Sequence, residues 1–395
     1  MPMSLSDWFS RLVSRDAPRT ETNQASDLTA LREELGRARV LHHQPERLSG
    51  APGVTDAART PPDDRKLVKR IADAYRAAMS TTVGAKDSIW LGFFAEANKD
   101  THAFLSGGDI DRIAEMLRNP AESMLFYGFD NLSAAESERR SNPGWLHWYH
   151  LFTYSNLLKL AEATGVVRLD NPEAPYQPGT EAPGVEALLR GLDEVLGFRI
   201  EFPNLFAGEM GIATSRGVAS YRAVQALYQA HRIKEILDGA TDAKVLEIGA
   251  GLGRTAFYTR RAGIEHYGIV DLPLTNVAQG YFLGRTLGED SICLWGEKRA
   301  GVAIRPPASF LDGNDEYDLI VNFDSLTELA PSTAAQYFHA IAARSKQFLS
   351  INHEHNSFTV RDLYRERRLV PVSRTPCWVR RGYVEELIRF DARAS

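Results

Sequence analysis

At 395 residues the chain exceeds a modal domain of about 100–150 residues, so it should hold one catalytic domain and substantial further structure. Its composition, 44% hydrophobic and 25% charged, is that of a globular protein with an ample core, and the formal charge of −5, from 46 basic and 51 acidic side chains without a dense basic stripe, argues against a nucleic-acid partner. Two cysteines without metal-ligand spacing, no apolar run near the ~20 residues that span a bilayer, and no uninterrupted apolar core between Met1 and Arg19 lead to the expectation of a cytoplasmic protein with no membrane attachment.

Residues 1–60 mix a short amphipathic stretch (Leu5, Trp8, Phe9, Leu12, Val13) with polar, Pro- and Gly-containing segments such as LSGAPGVTDAARTPPDD, and read as a poorly ordered N-terminal segment. From 61 to 235 the pattern is mostly helical, a layer suited to binding or covering a substrate. Leu67, Val68, Ile71, Ala74, Tyr75 and Ala78 fall at helical spacing behind the N-cap candidates Asp63 and Asp64. Further helical patterns between 87 and 170 are rich in large aromatics, among them Trp90, Phe93, Phe94, Phe129, Trp145, Trp148, Tyr149 and Phe152. The segment 170–184, DNPEAPYQPGTEAPG, is a connecting loop and a candidate lid. Residues 216–237 then carry Tyr221, Val224, Leu227, Tyr228 and Ile236 at the spacing of an amphipathic helix.

From 236 to 395 the period changes. AKVLEIGAG, HYGIVD, YDLIVNFD and QFLSIN are compact apolar runs of buried parallel strands, with SICLW counted as the third strand in chain order. Helical segments at Arg254–Ala262, Asn276–Thr286 and Ala334–Ala343 lie between them, so the fold class is α/β, a Rossmann-like doubly wound sheet preceded by the mostly helical part. The tail, LVPVSRTPCWVRRGYVEELIRF, suits a closing strand pair.

The clearest chemical signal is VLEIGAGLGRT, where Gly249, Gly251 and Gly253 stand at a strand end and a helix start. Glycine permits the tight turn there and lets a ligand lie on backbone N–H groups, with Ala250 inside the loop. Asp271, ending the next apolar run and followed by Leu272, can accept both ribose hydroxyls of an adenosine. Two ligands compete for such a loop. Glu247, two residues ahead of the first glycine, would repel a dinucleotide's pyrophosphate and help to hold the ammonium of a sulfonium amino acid, which favours S-adenosylmethionine over NAD. A turn that binds nothing is the remaining alternative.

The form E-x-G-x-G-x-G resembles the class I S-adenosylmethionine-dependent methyltransferases. More narrowly, the phrases GIATSRGVASYRAVQALYQAHRI, VLEIGAGLGRTAFY, YGIVDLPLTNVAQGYFL, YDLIVNFDSLTEL, INHEHN and PCWVRRGYVEELIRF resemble, over about residues 205–395, a family of sugar O-methyltransferases whose namesake acts on a deoxysugar of a polyether antibiotic. This resemblance implies transfer of a methyl group to a sugar hydroxyl in a natural-product or glycan pathway, with S-adenosylhomocysteine as the second product. A non-sugar acceptor, such as a nitrogen or a phenol, and a non-catalytic partner protein of the same fold are the competing readings. A homodimer is an expectation by analogy alone.

An aliphatic hydroxyl must lose its proton as the new C–O bond forms, so a base or an acidifying metal is expected at the carboxyl ends of the later strands. His353 or His355 is the candidate base, with Asp324 orienting it or holding the acceptor, Glu328 beside the acceptor, and Asn322 at the methionine part of the cofactor. Asp324 and Ser325 can equally be a helix cap. Asp324, Glu328, Glu354 and the histidines can also supply ligands to a divalent ion, but the spacing is not diagnostic and a metal-free base is preferred. Arg216 can pair with the cofactor carboxylate or simply cap its helix. Trp145, Trp148 and Tyr149 are candidate platforms for a sugar ring, against the alternative that they are core.

Overall fold

The structure is a computed structural model that describes residues 48–56, 63–81, 95–128, 132–136, 139, 142–169 and 182–390. The stretch Leu5–Val13, the aromatics Trp90, Phe93, Phe94 and Phe129, and nearly all of the 170–184 loop lie outside the described residues. The chain forms two compact units. Ser49–Leu169 and Pro183–Ser395 make up the one described below, and the other contributes only Leu48 and Ala182 to the described residues.

The first element is a strand, β1 (Ala51–Val54), inside the segment read as poorly ordered. It lies at the edge of a small antiparallel sheet with β2 (Met210–Thr214) and β3 (Gly217–Ala219), in the order β1-β2-β3. Pro52 hid it, although an edge strand can tolerate a missing N–H. Helix α1 (Arg65–Thr81) buries Leu67, Val68, Ile71 and Tyr75, the face expected from their spacing. Next come α2 (Lys99–Gly107), α3 (Ile110–Arg118), the long α4 (Pro143–Ala163) and α5 (Val185–Leu196). Helix α4 begins with Pro143 at its first turn and the Asn142 side chain accepting from Gly144 N–H, a start consistent with proline's fixed φ.

Helix α6 (Tyr221–Ile236), capped by Ser220 Oγ accepting from Ala223 N–H, leads into the large sheet. There follow β4 (Lys244–Ile248), α7 (Arg254–Arg261), β5 (His266–Val270), α8 (Pro273–Thr286), β6 (Ile292–Leu294), β7 (Val302–Arg305), α9 (Pro307–Leu311) and β8 (Tyr317–Phe323). The chain ends with α10 (Pro331–Arg344), β9 (Ser345–His353), α11 (Val360–Glu366), β10 (Ser373–Pro376) and β11 (Tyr383–Arg389). The strand order is β10-β11-β9-β8-β4-β5-β7-β6, parallel except for β11, which runs against both of its neighbours. This is a Rossmann-like sheet, and the reversed strand sets it apart from the all-parallel order usual for dinucleotide domains.

Its central strands are apolar on both faces because helices cover both, which is why they read as continuous runs. Leu246, Ile248, Ile320 and Phe348 pack with Phe338 and Phe310 on one side. On α8, Gly284 lets α1 come close, since a Cβ there would stand 2.7 Å from Leu67 Cδ1. The run counted as the third strand is the edge strand β6. The strand beside β5 is β7, too short and too close to Pro306 and Pro307 to show as a run. Among the described residues no helix is long and apolar enough to cross a membrane.

Candidate active site at the carboxyl edge of the sheet

Each parallel strand delivers its last residues to the same edge, and there the glycine loop follows β4. Gly249, Gly251 and Gly253 have φ of +73°, +54° and +91°, in the left-handed region that a Cβ disfavours. A Cβ on Gly249 would also stand 2.0 Å from Ser325 Oγ. The loop is thus in direct contact with the residue that follows Asp324.

Asp271, after β5, turns its carboxylate onto this loop. Oδ1 accepts from Leu272 N–H (2.8 Å), Oδ2 accepts from Gln279 Nε2 (2.7 Å), and the amides of Ala250 and Gly251 also bond it. Burial pushes its pKa up to about 6, and these hydrogen bonds oppose a larger rise. The Gln279 amide bridges Asp271 to Gly251 O (2.9 Å), so the acid and the loop are one assembly. Beyond Leu272 lies a small apolar hollow lined by Ile71, Tyr75, Pro273, Val277, Trp295 and Ile304.

Glu247 has a different state from the one the sequence suggested. It is 1% exposed, accepts from Tyr267 OH (2.9 Å), and burial pushes its pKa up to about 8, so in the free protein it is mostly protonated near neutrality. The expected repulsion of a pyrophosphate by a carboxylate here is therefore corrected: the group is a neutral acid beneath the loop.

Two residues expected at the cofactor have partners within the protein. Asn322 is fully buried, and its amide donates to Ile248 O (2.9 Å) and Ser325 Oγ (2.6 Å) while its Oδ1 accepts from Leu326 N–H and Asn352 Nδ2. With both donors and both acceptor sites used, it clamps β8 to β4. Arg216 is 7% exposed and donates to Asp193 Oδ1 (2.7 Å) and Ile200 O (3.3 Å), which ties the β2–β3 turn to α5.

The second cluster lies where β8 and β9 end. Asp324 leaves β8 with φ +63°, its N–H held by Ile351 O. Asp324, Glu328 at the end of a 3-10 turn (Leu326–Glu328), and His353 at the end of β9 have carboxylate and imidazole atoms within 4.8 Å of one another. The His353 Nε2 to Asp324 Oδ1 distance is 3.5 Å. His355 is exposed and joins only through its backbone N–H, which donates to His353 Nδ1 (3.3 Å). The carboxylate of Glu354 is paired with Arg374.

Two members of this cluster were missed. Tyr383 OH (3.0 Å) and Arg380 Nη2 (2.5 Å) both donate to Asp324 Oδ2, Arg380 also donates to Tyr383 OH, and its guanidinium lies 3.6 Å over the Tyr383 ring. Because β11 is reversed, it offers its first residues to this edge, not its last. Sequence reasoning that looks only past the carboxyl end of each strand does not reach them.

The aromatic candidates separate. Tyr149 is buried and stacked on Tyr221 (6.0 Å between centroids), so it belongs to the core, while Trp145 and Trp148 are 38% and 43% exposed. Trp148 stacks on Phe152 at 4.9 Å. Tyr221 opens α6 and meets Trp148, Tyr149 and Phe152 there.

No protein-family model and no curated protein matches the chain. Among solved structures it is similar to magnesium protoporphyrin IX methyltransferase from Synechocystis PCC 6803 (12% identity, 42% of this chain and 81% of that one, TM-score 0.31). It is also similar to a 1,6-didemethyltoxoflavin N1-methyltransferase from Burkholderia thailandensis (22% identity, 42% and 77%, TM-score 0.31). A third is a ribosomal protein L11 methylase from Lactobacillus delbrueckii subsp. bulgaricus (12% identity, 43% and 80%, TM-score 0.32).

Proposed function

We propose that the chain is an S-adenosylmethionine-dependent O-methyltransferase whose acceptor is a hydroxyl of a sugar or a sugar-bearing small molecule. The observation that carries this reading is the contact of Gly249 with Ser325, which sets an adenosine-type loop directly beside an acid–histidine cluster. Asp271 would take the ribose hydroxyls in exchange for the Ala250 and Gly251 amides that bond it in the free chain. When bound, the cofactor supplies a methyl group on a sulfonium, which leaves as its C–S bond breaks and the acceptor's C–O bond forms.

The chain's own part is alignment, exclusion of water and removal of one proton. His353 is the base and Asp324 its partner, with Nε2 3.5 Å from Oδ1. Trp145 and Trp148 offer exposed faces for a sugar ring. A divalent ion held by Asp324, Glu328 and His353 is the second mechanism, favoured by the convergence of three ligand types. It is opposed by the His355 amide, since a metal-bound histidine donates its other ring N–H, whereas here that nitrogen accepts. The test is transfer from methyl-labelled cofactor to a panel of sugars, phenols and amines. Labelled sugar ether, lost in His353→Ala, supports the reading; label only in amine or phenol products ends the sugar assignment.

A further inference from the structure

The geometry points to Nδ1 of His353 as the nitrogen that receives the acceptor's proton, and to Arg380 and Tyr383 as positioning residues that hold Asp324 so that the ring keeps its own proton on Nε2. This inference rests on the methyltransferase reading and assigns the proton path within it.

The two oxygens of Asp324 are unequal. Oδ2 accepts from both Arg380 and Tyr383, while Oδ1 is buried without a hydrogen-bond partner among the described residues. A bare buried carboxylate oxygen calls for a donor, and His353 Nε2 stands 3.5 Å from it. The other ring nitrogen is occupied by the His355 N–H, which can only donate. Nδ1 therefore presents a lone pair, and the single proton of the neutral ring sits on Nε2, on the Asp324 side. An acceptor hydroxyl that displaces the weak His355 contact meets that lone pair. Its proton passes to Nδ1 as its oxygen takes the methyl group, and Asp324 stabilises the imidazolium through Nε2–H, the logic of an acid–histidine–nucleophile array with the ring nitrogens exchanged.

Arg380 and Tyr383 hold the carboxylate's rotation, and the Tyr383 ring stands at 89° to the His353 ring, fixing its plane. Arg380 also shares the charge of Asp324. The charged and titratable groups around the ring are Asp324 from the end of β8, Glu328 from the 3-10 turn, Arg380 and Tyr383 from the hairpin, Arg222 acting on Tyr383 from α6, and Glu354 on the ring's own loop, paired with Arg374.

The experiment is nitrogen NMR of the full chain labelled in histidine, with the His353 signals identified by their loss in His353→Gln. The expected wild-type spectrum is a neutral ring protonated at Nε2. In Arg380→Met the preference of the proton for Nε2 should be lost, and Arg380→Lys should restore it. Tyr383→Phe should blur the tautomer preference. A ring protonated at Nδ1, or a tautomer preference unchanged in an Arg380→Met protein that still binds S-adenosylhomocysteine, overturns the assignment. If Arg380→Met does not fold, Tyr383→Phe alone decides, and an unchanged tautomer there overturns it as well. Calorimetry with S-adenosylhomocysteine on the same wild-type sample tests the underlying reading separately: absent binding condemns that reading and the acceptor's proton path with it, whereas a wrong tautomer with binding intact overturns the proton assignment alone.

Discussion

The glycine-loop side of the edge and the Asp324 side are built on different principles. The first is made of backbone: three left-handed glycines, loop amides and one carboxylate resting on them, all within the turn after β4 and the end of β5. The second is made of side chains brought from three strands, with Asp324 from β8, His353 from β9 and Arg380 and Tyr383 from the reversed hairpin. A backbone site is sensitive to volume and tolerant of remote change, whereas a convergent site depends on every element that aims it. The contrast teaches where this chain should break and how.

The largest effect is expected at the seam between the two sides. Gly249→Ala forces a methyl group against Ser325 and a left-handed φ on a residue with a Cβ, so S-adenosylhomocysteine binding should fall at least a hundredfold in titration, with a stability loss of about 1–3 kcal/mol in denaturant unfolding. Asp271→Ala comes next. If its carboxylate accepts ribose hydroxyls as proposed, its removal should weaken the cofactor by roughly 1.5–3 kcal/mol, about tenfold to a hundredfold, and protonation near pH 6 should weaken wild-type binding as the pH falls through that value. Retained affinity in the variant would remove Asp271 from the site.

Arg216→Ala sharpens the comparison from the other direction. Its half-buried pair with Asp193 should be missed by about 1–2 kcal/mol in unfolding, while cofactor affinity stays within twofold; a tenfold loss of affinity would return Arg216 to the cofactor. For Glu247 the sign follows from a folded pKa raised above its ordinary value. The folded state binds the extra proton between about pH 4.5 and 8, so this group's contribution weakens stability as pH rises through that window. Glu247→Gln should flatten that decline in a melting series from pH 6 to 8, and a parallel decline in the variant would contradict a neutral acid. The smallest effect is at Trp148, where alanine should raise the acceptor KM a few-fold and leave stability within about 1 kcal/mol, given its exposure.

Legibility in the sequence divides along the same line. The glycine loop, Asp271 and the apolar central strands were legible because each is a local requirement: a left-handed turn demands glycine, and a strand covered on both faces demands an unbroken apolar run. Asp324, Glu328 and His353 were found because they follow strands that were themselves visible. The rest depends on partners remote in the chain. Nothing near Arg216 announces Asp193, nothing near Asn322 announces Asn352 and Ile248 O, and their residue types fit a ligand as well as a clamp. Arg380 and Tyr383 were hidden by strand direction, because only the reversal of β11 turns the start of a strand toward the ligand edge. The four residues of β7 escaped as too short to show a period.

The most direct test of the central claim is calorimetric titration of the full chain with S-adenosylhomocysteine, with NAD as the control. Micromolar-range binding of the first and none of the second is the expected result, with the affinity falling in Asp271→Ala. Binding of NAD instead, or of neither, would contradict the assignment of the glycine loop and the methyl-transfer chemistry built beside it.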